Sequence, residues 1–157
     1  MNRISKDEYY LNISLAVSKR STCLKRHYGC VIVKDDRIVA TGYNGSPRGD
    51  VNCCDLGKCK RPDAERYSDY TSCEAVHAEQ NAIISASAEE LKGATLYLAC
   101  EGFERVESIS KTYINIVNED KNPVPCPLCM RMIKNAGIVK VVNRKGVVYQ
   151  YGQRVFH

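Results

Sequence analysis

The chain has 157 residues, of which 44% are hydrophobic and 26% charged, with a formal net charge of +5. This length suits one core, so we expect residues 1–157 to form a single domain, and the basic excess permits a phosphorylated substrate. No apolar run approaches the roughly 20 residues that cross a bilayer, and the first ten residues lack a secretory signal, which predicts a cytoplasmic protein without a membrane partner.

The first predicted elements are a helix and a β-hairpin. Ser5 and Glu8 fit a capping box at the start of the helix. Its predicted apolar face consists of Tyr9, Ile13, Ala16 and Val17. Two β-branched runs, 31–33 and 38–40, flank the polar turn "KDDR", which predicts the hairpin. Cys30 opens the first of these strands and is expected to be a small buried hydrophobe.

The middle of the chain is a long polar segment followed by a helix and a strand. Residues 46–72 are rich in Gly, Pro, Asp and Ser, and a loop of this length is typically functional or held together by a metal. Helical periodicity then runs from 76 to 91, and "ATLYLAC" at 94–100 predicts a buried strand.

The last third predicts a helix and a second hairpin. The helix, at 126–135, ends before Gly137, and the strand "IVKVV" is followed by the turn "NRKG" and the strand "VVYQY". Alternating strands and helices with at least one hairpin indicate an α/β fold. We expect a three-layer α/β/α sandwich with a mixed five-stranded sheet.

Two short motifs predict a metal site. "HAE" spans 77–79 and "PCPLC" spans 125–129, in a chain whose nine cysteines favour metal ligands over disulfides in a reducing compartment. His77 and Glu79 can share a site if a helix starts there, and Cys126 and Cys129 lie on one face of a first helical turn. One imidazole and two thiolates bind zinc and leave its fourth position open to water, as catalytic zinc requires.

The same motifs predict a proton shuttle. Glu79, beside the metal but not bound to it, is placed to move protons between water, a ring nitrogen and a leaving amine. The pattern H-x-E with P-C-x-x-C is that of the zinc deaminases of nucleobases. The alternatives are a capping histidine and a C-x-x-C that is a redox pair or half of a structural zinc knuckle. Both motifs together favour the catalytic site.

Four stretches carry a resemblance to a known family: "STCLKRHYGCVIV", "RIVATGYNGSPRGDVNCCD", "VHAEQNAI" and "PCPLCMRMIKNAGI". On these the chain resembles the cytidine and deoxycytidylate deaminase superfamily, in particular the dCMP deaminases of bacterial and phage type, over residues 21–142. The resemblance implies hydrolysis of dCMP to dUMP and ammonia. It also implies that Asn44 contacts the sugar or base, that the Ala78 backbone reads the pyrimidine, and that Arg26 lies near the 5′-phosphate.

Further properties are implied by the same resemblance. Such enzymes are homo-oligomers, commonly hexamers, with dCTP and Mg²⁺ as activators, dTTP as inhibitor and the "GYNGSP" loop in effector binding. Some hold the polar loop with a second, structural zinc, for which the matching residues here are Cys23 and Cys53, with Cys59 and Cys73 completing a four-thiolate site. Cys54 could replace Cys53, and the alternative is a set of free thiols in the loop.

The chain departs from the family at an insertion, and two other functions are also compatible with its motifs. Residues 101–124 form an insertion, with a predicted strand at 113–117, that could be a lid, an oligomer contact or a lengthened hairpin. The other functions are deamination of another cytosine nucleotide or nucleoside, and a catalytically silent, zinc-stabilised module that binds nucleotides or nucleic acid. Glu79 argues against the silent module, and the lack of Trp and of aromatic-basic alternation argues against a stable nucleic-acid partner.

Overall fold

The computed structural model describes residues 2–60, 73–102 and 122–152, which contain five helices and five strands. In chain order these are α1 (Lys6–Ser18), β1 (Arg26–Lys34), β2 (Arg37–Tyr43), α2 (Cys53–Leu56), α3 (Ala78–Ile84), α4 (Ala88–Leu91), β3 (Thr95–Gly102), α5 (Pro127–Asn135), β4 (Lys140–Asn143) and β5 (Gly146–Gln150). Most of the predicted insertion, with its strand at 113–117, lies outside the described residues. None of the described helices has the length and apolar character needed to cross a membrane.

The five strands form one mixed sheet in the order β2-β1-β3-β4-β5. Only β3 and β4 run parallel, and the other three neighbouring pairs are antiparallel. Both predicted hairpins are confirmed. In the first, Asp35 and Asp36 have φ angles of 49° and 59°. This left-handed pair makes a two-residue turn whose twist matches that of the strands it joins.

Helices cover both faces of the sheet, which confirms the three-layer prediction. Because side chains alternate along a strand, Val31 and Val33 of β1 face α1, whereas Cys30 and Ile32 face α3 and α5. The second face holds the larger buried cluster, which also contains Leu96 and Leu98 of β3. Cys30 is 0% exposed, as predicted for a small hydrophobe. The helices that carry the zinc motifs therefore share one layer.

The buried face of α1 differs from the prediction. Tyr9 and Ala16 are exposed, while Ser14 and Ser18 are fully buried. A Cβ atom at Gly29 of β1 would collide with the backbone of both serines, so the helix backbone lies directly against the strand. The Ser14 hydroxyl donates a hydrogen bond to the Tyr97 carbonyl. Small residues suit such a close contact between a helix and a strand. The apolar periodicity of α1 did not reveal this contact.

The helical stretch predicted at 76–91 consists of two helices. The first, α3, ends at Ile84, and Ser87 caps the second. The Ser87 hydroxyl accepts from the backbone N–H of Glu90, whose carboxylate accepts from the Ser87 N–H at 2.8 Å. This reciprocal capping box marks the start of a second helix, so the prediction of one continuous helix is wrong.

Candidate functional site

The N-terminus of α3 holds His77 in a fixed position. His77 is the residue before the helix, and its backbone N–H donates to Gln80 Oε1 at 2.9 Å. The amide nitrogen of Gln80 lies 3.8 Å from the sulfur of Met132 on α5. Gln80 therefore fixes the backbone of His77 and connects the two helices that carry the motifs. Sequence reasoning missed Gln80, although its position three residues after a helix cap was the available signal.

The N-terminus of α5 presents the two motif cysteines on one side. Cys126 is the N-cap, and its sulfur accepts from the backbone N–H of Cys129 at 3.4 Å. Pro127 suits the first helical position because its fixed φ is already helical. Pro123 lies just before this helix, and its carbonyl accepts a hydrogen bond from the buried Asn143 side chain at 3.1 Å. This bond anchors the segment that leads into the helix.

These elements bring one imidazole and two thiols together. His77 Nδ1 lies 3.3 Å from Cys129 Sγ and 3.6 Å from Cys126 Sγ, and all three atoms lie within 4.8 Å of one another. With zinc bonds of about 2.0–2.3 Å, tetrahedral ligand atoms are about 3.6 Å apart. The spacing and the donor types therefore fit zinc. Within residues 2–60, 73–102 and 122–152, no other His, Cys, Asp or Glu group is this tight.

The protonation of the three ligands also suits a metal. Burial lowers the pKa of His77, which favours the neutral imidazole that metals bind. Burial, the Glu79 carboxylate and the neighbouring Cys126 raise the pKa of Cys129. The Cys129 thiol therefore keeps its proton until a cation replaces it, so metal binding releases a proton at this position.

Glu79 is a buried carboxyl group beside the three ligands. It lies in the first turn of α3 and is 5% exposed. Burial raises its pKa. Glu79 follows His77 by two residues at the start of the same helix, so its backbone lies next to that of the predicted ligand. A buried carboxyl group with a raised pKa binds a proton more readily than an exposed one, which suits a group that accepts a proton and later returns it.

The "GYNG" motif, at residues 42–45, contacts α3 from the end of β2. A Cβ at Gly42 would collide with the Ala78 carbonyl oxygen, so glycine lets the helix lie against β2. The Tyr43 carbonyl accepts from the Asn81 side chain at 2.8 Å. Asn44 is buried, and its amide bridges the β1 backbone: Oδ1 accepts from the Tyr28 N–H at 2.8 Å and Nδ2 donates to the Arg26 carbonyl at 2.9 Å.

The residues expected to contact a nucleotide are Asn44, Ala78 and Arg26. Ala78 is fully buried in the first turn of α3, where backbone N–H groups lack helical partners. Arg26 starts β1, and its Nη1 donates to the Tyr28 hydroxyl at 3.4 Å. Asn44 holds Arg26 and Tyr28 through their backbones. The structure thus connects Asn44 to Arg26 and places Gly42, two residues before Asn44, against Ala78, while the contacts of these residues with a nucleotide stay a prediction.

The four loop cysteines converge at a second place. Cys23, Cys53, Cys59 and Cys73 line one cavity. The 61–72 segment between the last two lies outside the described residues, and a Lys60–Glu74 ion pair at 3.0 Å joins its two ends. Burial raises the pKa of Cys23. All four cysteines are described, and no three of them bring their sulfur atoms within 4.8 Å of one another.

Comparisons with known proteins agree on one family. Residues 4–145 match the model of the cytidine and deoxycytidylate deaminase zinc-binding region. The deoxycytidylate deaminase of Mycobacterium phage D29 is 36% identical over 149 residues, covering 92% of this chain and 98% of that protein. That of Saccharomyces cerevisiae is 36% identical over 138 residues, which are 87% of this chain but only 44% of the yeast protein.

A solved structure is also similar. The dCMP deaminase from the cyanophage S-TIM5, in complex with dCMP and dUMP, superimposes with a TM-score of 0.59. The two chains are 27% identical, and the match covers 89% of this chain and 82% of the cyanophage chain.

Proposed function

The chain belongs to the cytidine and deoxycytidylate deaminase family, and we propose that it hydrolyses dCMP to dUMP and ammonia. The observation that carries the proposal is the group of His77, Cys126 and Cys129 with the buried Glu79 beside it. This group occurs in a chain that matches a phage deoxycytidylate deaminase over nearly its whole length. A binding module would have no use for a buried proton carrier at the metal.

The residues divide the reaction between them. His77, Cys126 and Cys129 would hold zinc, which when bound would lower the pKa of a water molecule toward neutrality. Glu79 accepts a proton from the attacking water and delivers it to N3 of the pyrimidine. After the water oxygen has bonded to C4, Glu79 takes the remaining proton from that hydroxyl group and passes it to the exocyclic nitrogen. The C4–N bond then breaks, ammonia leaves, and the oxygen remains as the C4 carbonyl of dUMP. The buried position of Glu79 keeps competing water away from these transfers.

The test is an ammonia-release assay on the zinc-loaded protein with dCMP, CMP, dCTP and deoxycytidine as parallel substrates. Turnover of dCMP with little of the others supports the proposal. Preferred turnover of another cytosine nucleotide or nucleoside keeps the zinc chemistry and contradicts the substrate. A fully zinc-loaded protein that turns over none of the four contradicts the enzyme assignment and favours a silent nucleotide-binding module.

We also propose that Cys23, Cys53, Cys59 and Cys73 hold a second, structural zinc. The four thiols line a common cavity, and Cys59 and Cys73 stand at the two joined ends of the 61–72 segment. No three of the four described sulfur atoms lie within 4.8 Å of one another, so binding a metal requires the loops that carry them to bring the sulfur atoms closer together. Four thiolates form a closed structural zinc site, and such a site contributes to folding.

The second site predicts the zinc content of a variant. We expect elemental analysis to find two zinc ions per chain in the wild type and one in Cys59→Ser, because a hydroxyl replaces one of four thiolate ligands. Deamination should persist in the variant, since the catalytic group is separate. Cys54→Ser, which changes the exposed thiol next to Cys53, distinguishes the two candidate ligands: it should retain two ions, and loss of one ion would assign this ligand position to Cys54 instead of Cys53. One ion per chain in the wild type would remove the second site.

The oligomer and its effectors are further proposals that rest on family resemblance. We propose a hexamer that is activated by dCTP with Mg²⁺ and inhibited by dTTP. Light scattering in the presence and absence of each nucleotide measures the assembly, and assays with subsaturating dCMP measure the regulation. A monomer that responds to neither nucleotide contradicts both proposals.

A further inference from the structure

A row of side chains on β1 leads outward from the metal ligands. Alternate residues of a strand point to the same face, so Arg26, Tyr28 and Cys30 all face the layer that contains α3 and α5. Cys30 belongs to the buried cluster, and Tyr28 is half-buried and packs against its edge. The Arg26 side chain meets the Tyr28 hydroxyl, which confirms that these two share the face.

The row can be compared with the length of a nucleotide. Alternate residues on a strand are about 7 Å apart, so Tyr28 and Arg26 lie one and two such steps from Cys30. Cys30 packs in the same buried cluster as Ala78, the residue that follows His77, so Cys30 stands at the metal end of the row. The cytosine amine must lie at that end to react. A base, a sugar and a phosphate are joined in this order, so the sugar falls near Tyr28 and the phosphate near Arg26.

The Tyr28 ring is held firmly in this place. Its backbone N–H donates to the buried Asn44 amide at 2.8 Å, and its hydroxyl accepts from Arg26 Nη1 at 3.4 Å. The backbone is paired with Cys100 of β3 on the other side. The two backbone contacts fix the strand at Tyr28, and the Arg26 contact holds the ring's hydroxyl, so the ring presents a wall of constant shape to a sugar beside it.

We propose that Tyr28 is a specificity-determining residue, whose ring selects 2′-deoxyribose by occupying the space that a ribose 2′-hydroxyl needs. The inference rests on the proposed function, because it places the cytosine at the metal. An added hydroxyl against the ring loses its hydrogen bonds to water and gains none from the aromatic carbons. The Tyr28 oxygen is already engaged by Arg26, which keeps the ring in position.

The experiment compares dCMP with CMP, which differ only at the 2′ position. For wild type and Tyr28→Val, kcat/KM is measured with both nucleotides, and the same pair of nucleotides is titrated onto Glu79→Gln with and without Tyr28→Val to give dissociation constants without turnover. We expect Tyr28→Val to reduce the preference for dCMP by about tenfold or more, because the smaller side chain leaves room for the hydroxyl. Tyr28→Phe retains the ring and should keep the preference within about threefold.

The matched control is Tyr149→Val. Tyr149 is also half-buried and packs against the same cluster, but it lies on β5 at the opposite edge of the sheet. The same loss of side-chain volume there should leave the preference for dCMP unchanged. This control separates an effect on the sugar from a general loosening of the core.

The outcomes are distinct for the inference and for the proposed function. A wild type that turns over dCMP, with an unchanged dCMP-to-CMP ratio in Tyr28→Val, overturns the inference alone. Loss of the preference in Tyr28→Phe as large as in Tyr28→Val overturns the ring as the selecting element. A wild type that neither binds nor deaminates dCMP overturns the proposed function and this inference together.

Discussion

Glu79→Gln is expected to reduce kcat for dCMP by about a hundredfold or more while zinc content and substrate affinity are preserved. Glutamine has nearly the same shape as glutamate but cannot accept a proton. Glu79 is 5% exposed, so bulk water cannot easily replace it as a proton carrier. The measurements are steady-state deamination, zinc content by elemental analysis and equilibrium binding of dCMP.

Glu89→Gln is the matched control for this variant. Glu89 is exposed on α4, ten residues further along the chain, and the same change of one carboxylate to an amide should leave turnover within about twofold of wild type. A turnover of Glu79→Gln near that of wild type would show that another group carries the proton. A loss of zinc from Glu79→Gln would assign the carboxyl to metal binding instead.

The strands were more predictable from sequence than the buried face of α1. Both hairpins were visible because polar turns separate β-branched runs, and these signals lie within a few residues of one another. The face of α1 depends on Gly29, which lies on another element and lets the backbone at Ser14 and Ser18 approach β1 closely. Hydrophobic periodicity reads one segment at a time and cannot detect a close approach between two backbones.

The grouping of the three predicted metal ligands could be foreseen because each motif is local and chemically distinctive. His77, Cys126 and Cys129 were predicted as ligands, and the structure brings them together. Tyr28 and Gln80 were missed, because a tyrosine in a strand and a glutamine in a helix are usually ordinary packing residues. Their importance comes from contacts with Arg26 and Met132, which are set by the tertiary fold.

Cys129→Ala is expected to remove one zinc ion per chain relative to wild type and to abolish detectable deamination. Cys129 is 0% exposed, and its sulfur is the closer of the two to His77 Nδ1. The variant leaves only His77 and Cys126 to hold the metal, and two ligands do not form the three-ligand site that catalytic zinc occupies. Elemental analysis and the dCMP assay measure the two effects.

A control variant distinguishes the effect of losing zinc in Cys129→Ala from the effect of removing a buried side chain. Cys30→Ala is the matched control, because it removes another fully buried thiol without removing a predicted ligand, so it should retain zinc and turnover. A chelator should lower the melting temperature of wild type and Cys30→Ala, since zinc at a hundredfold excess over its Kd contributes about 2.7 kcal/mol to folding. In Cys129→Ala, a chelator should lower the melting temperature by less, because this variant has no catalytic zinc to lose. Full zinc content and turnover in Cys129→Ala would remove Cys129 from the site.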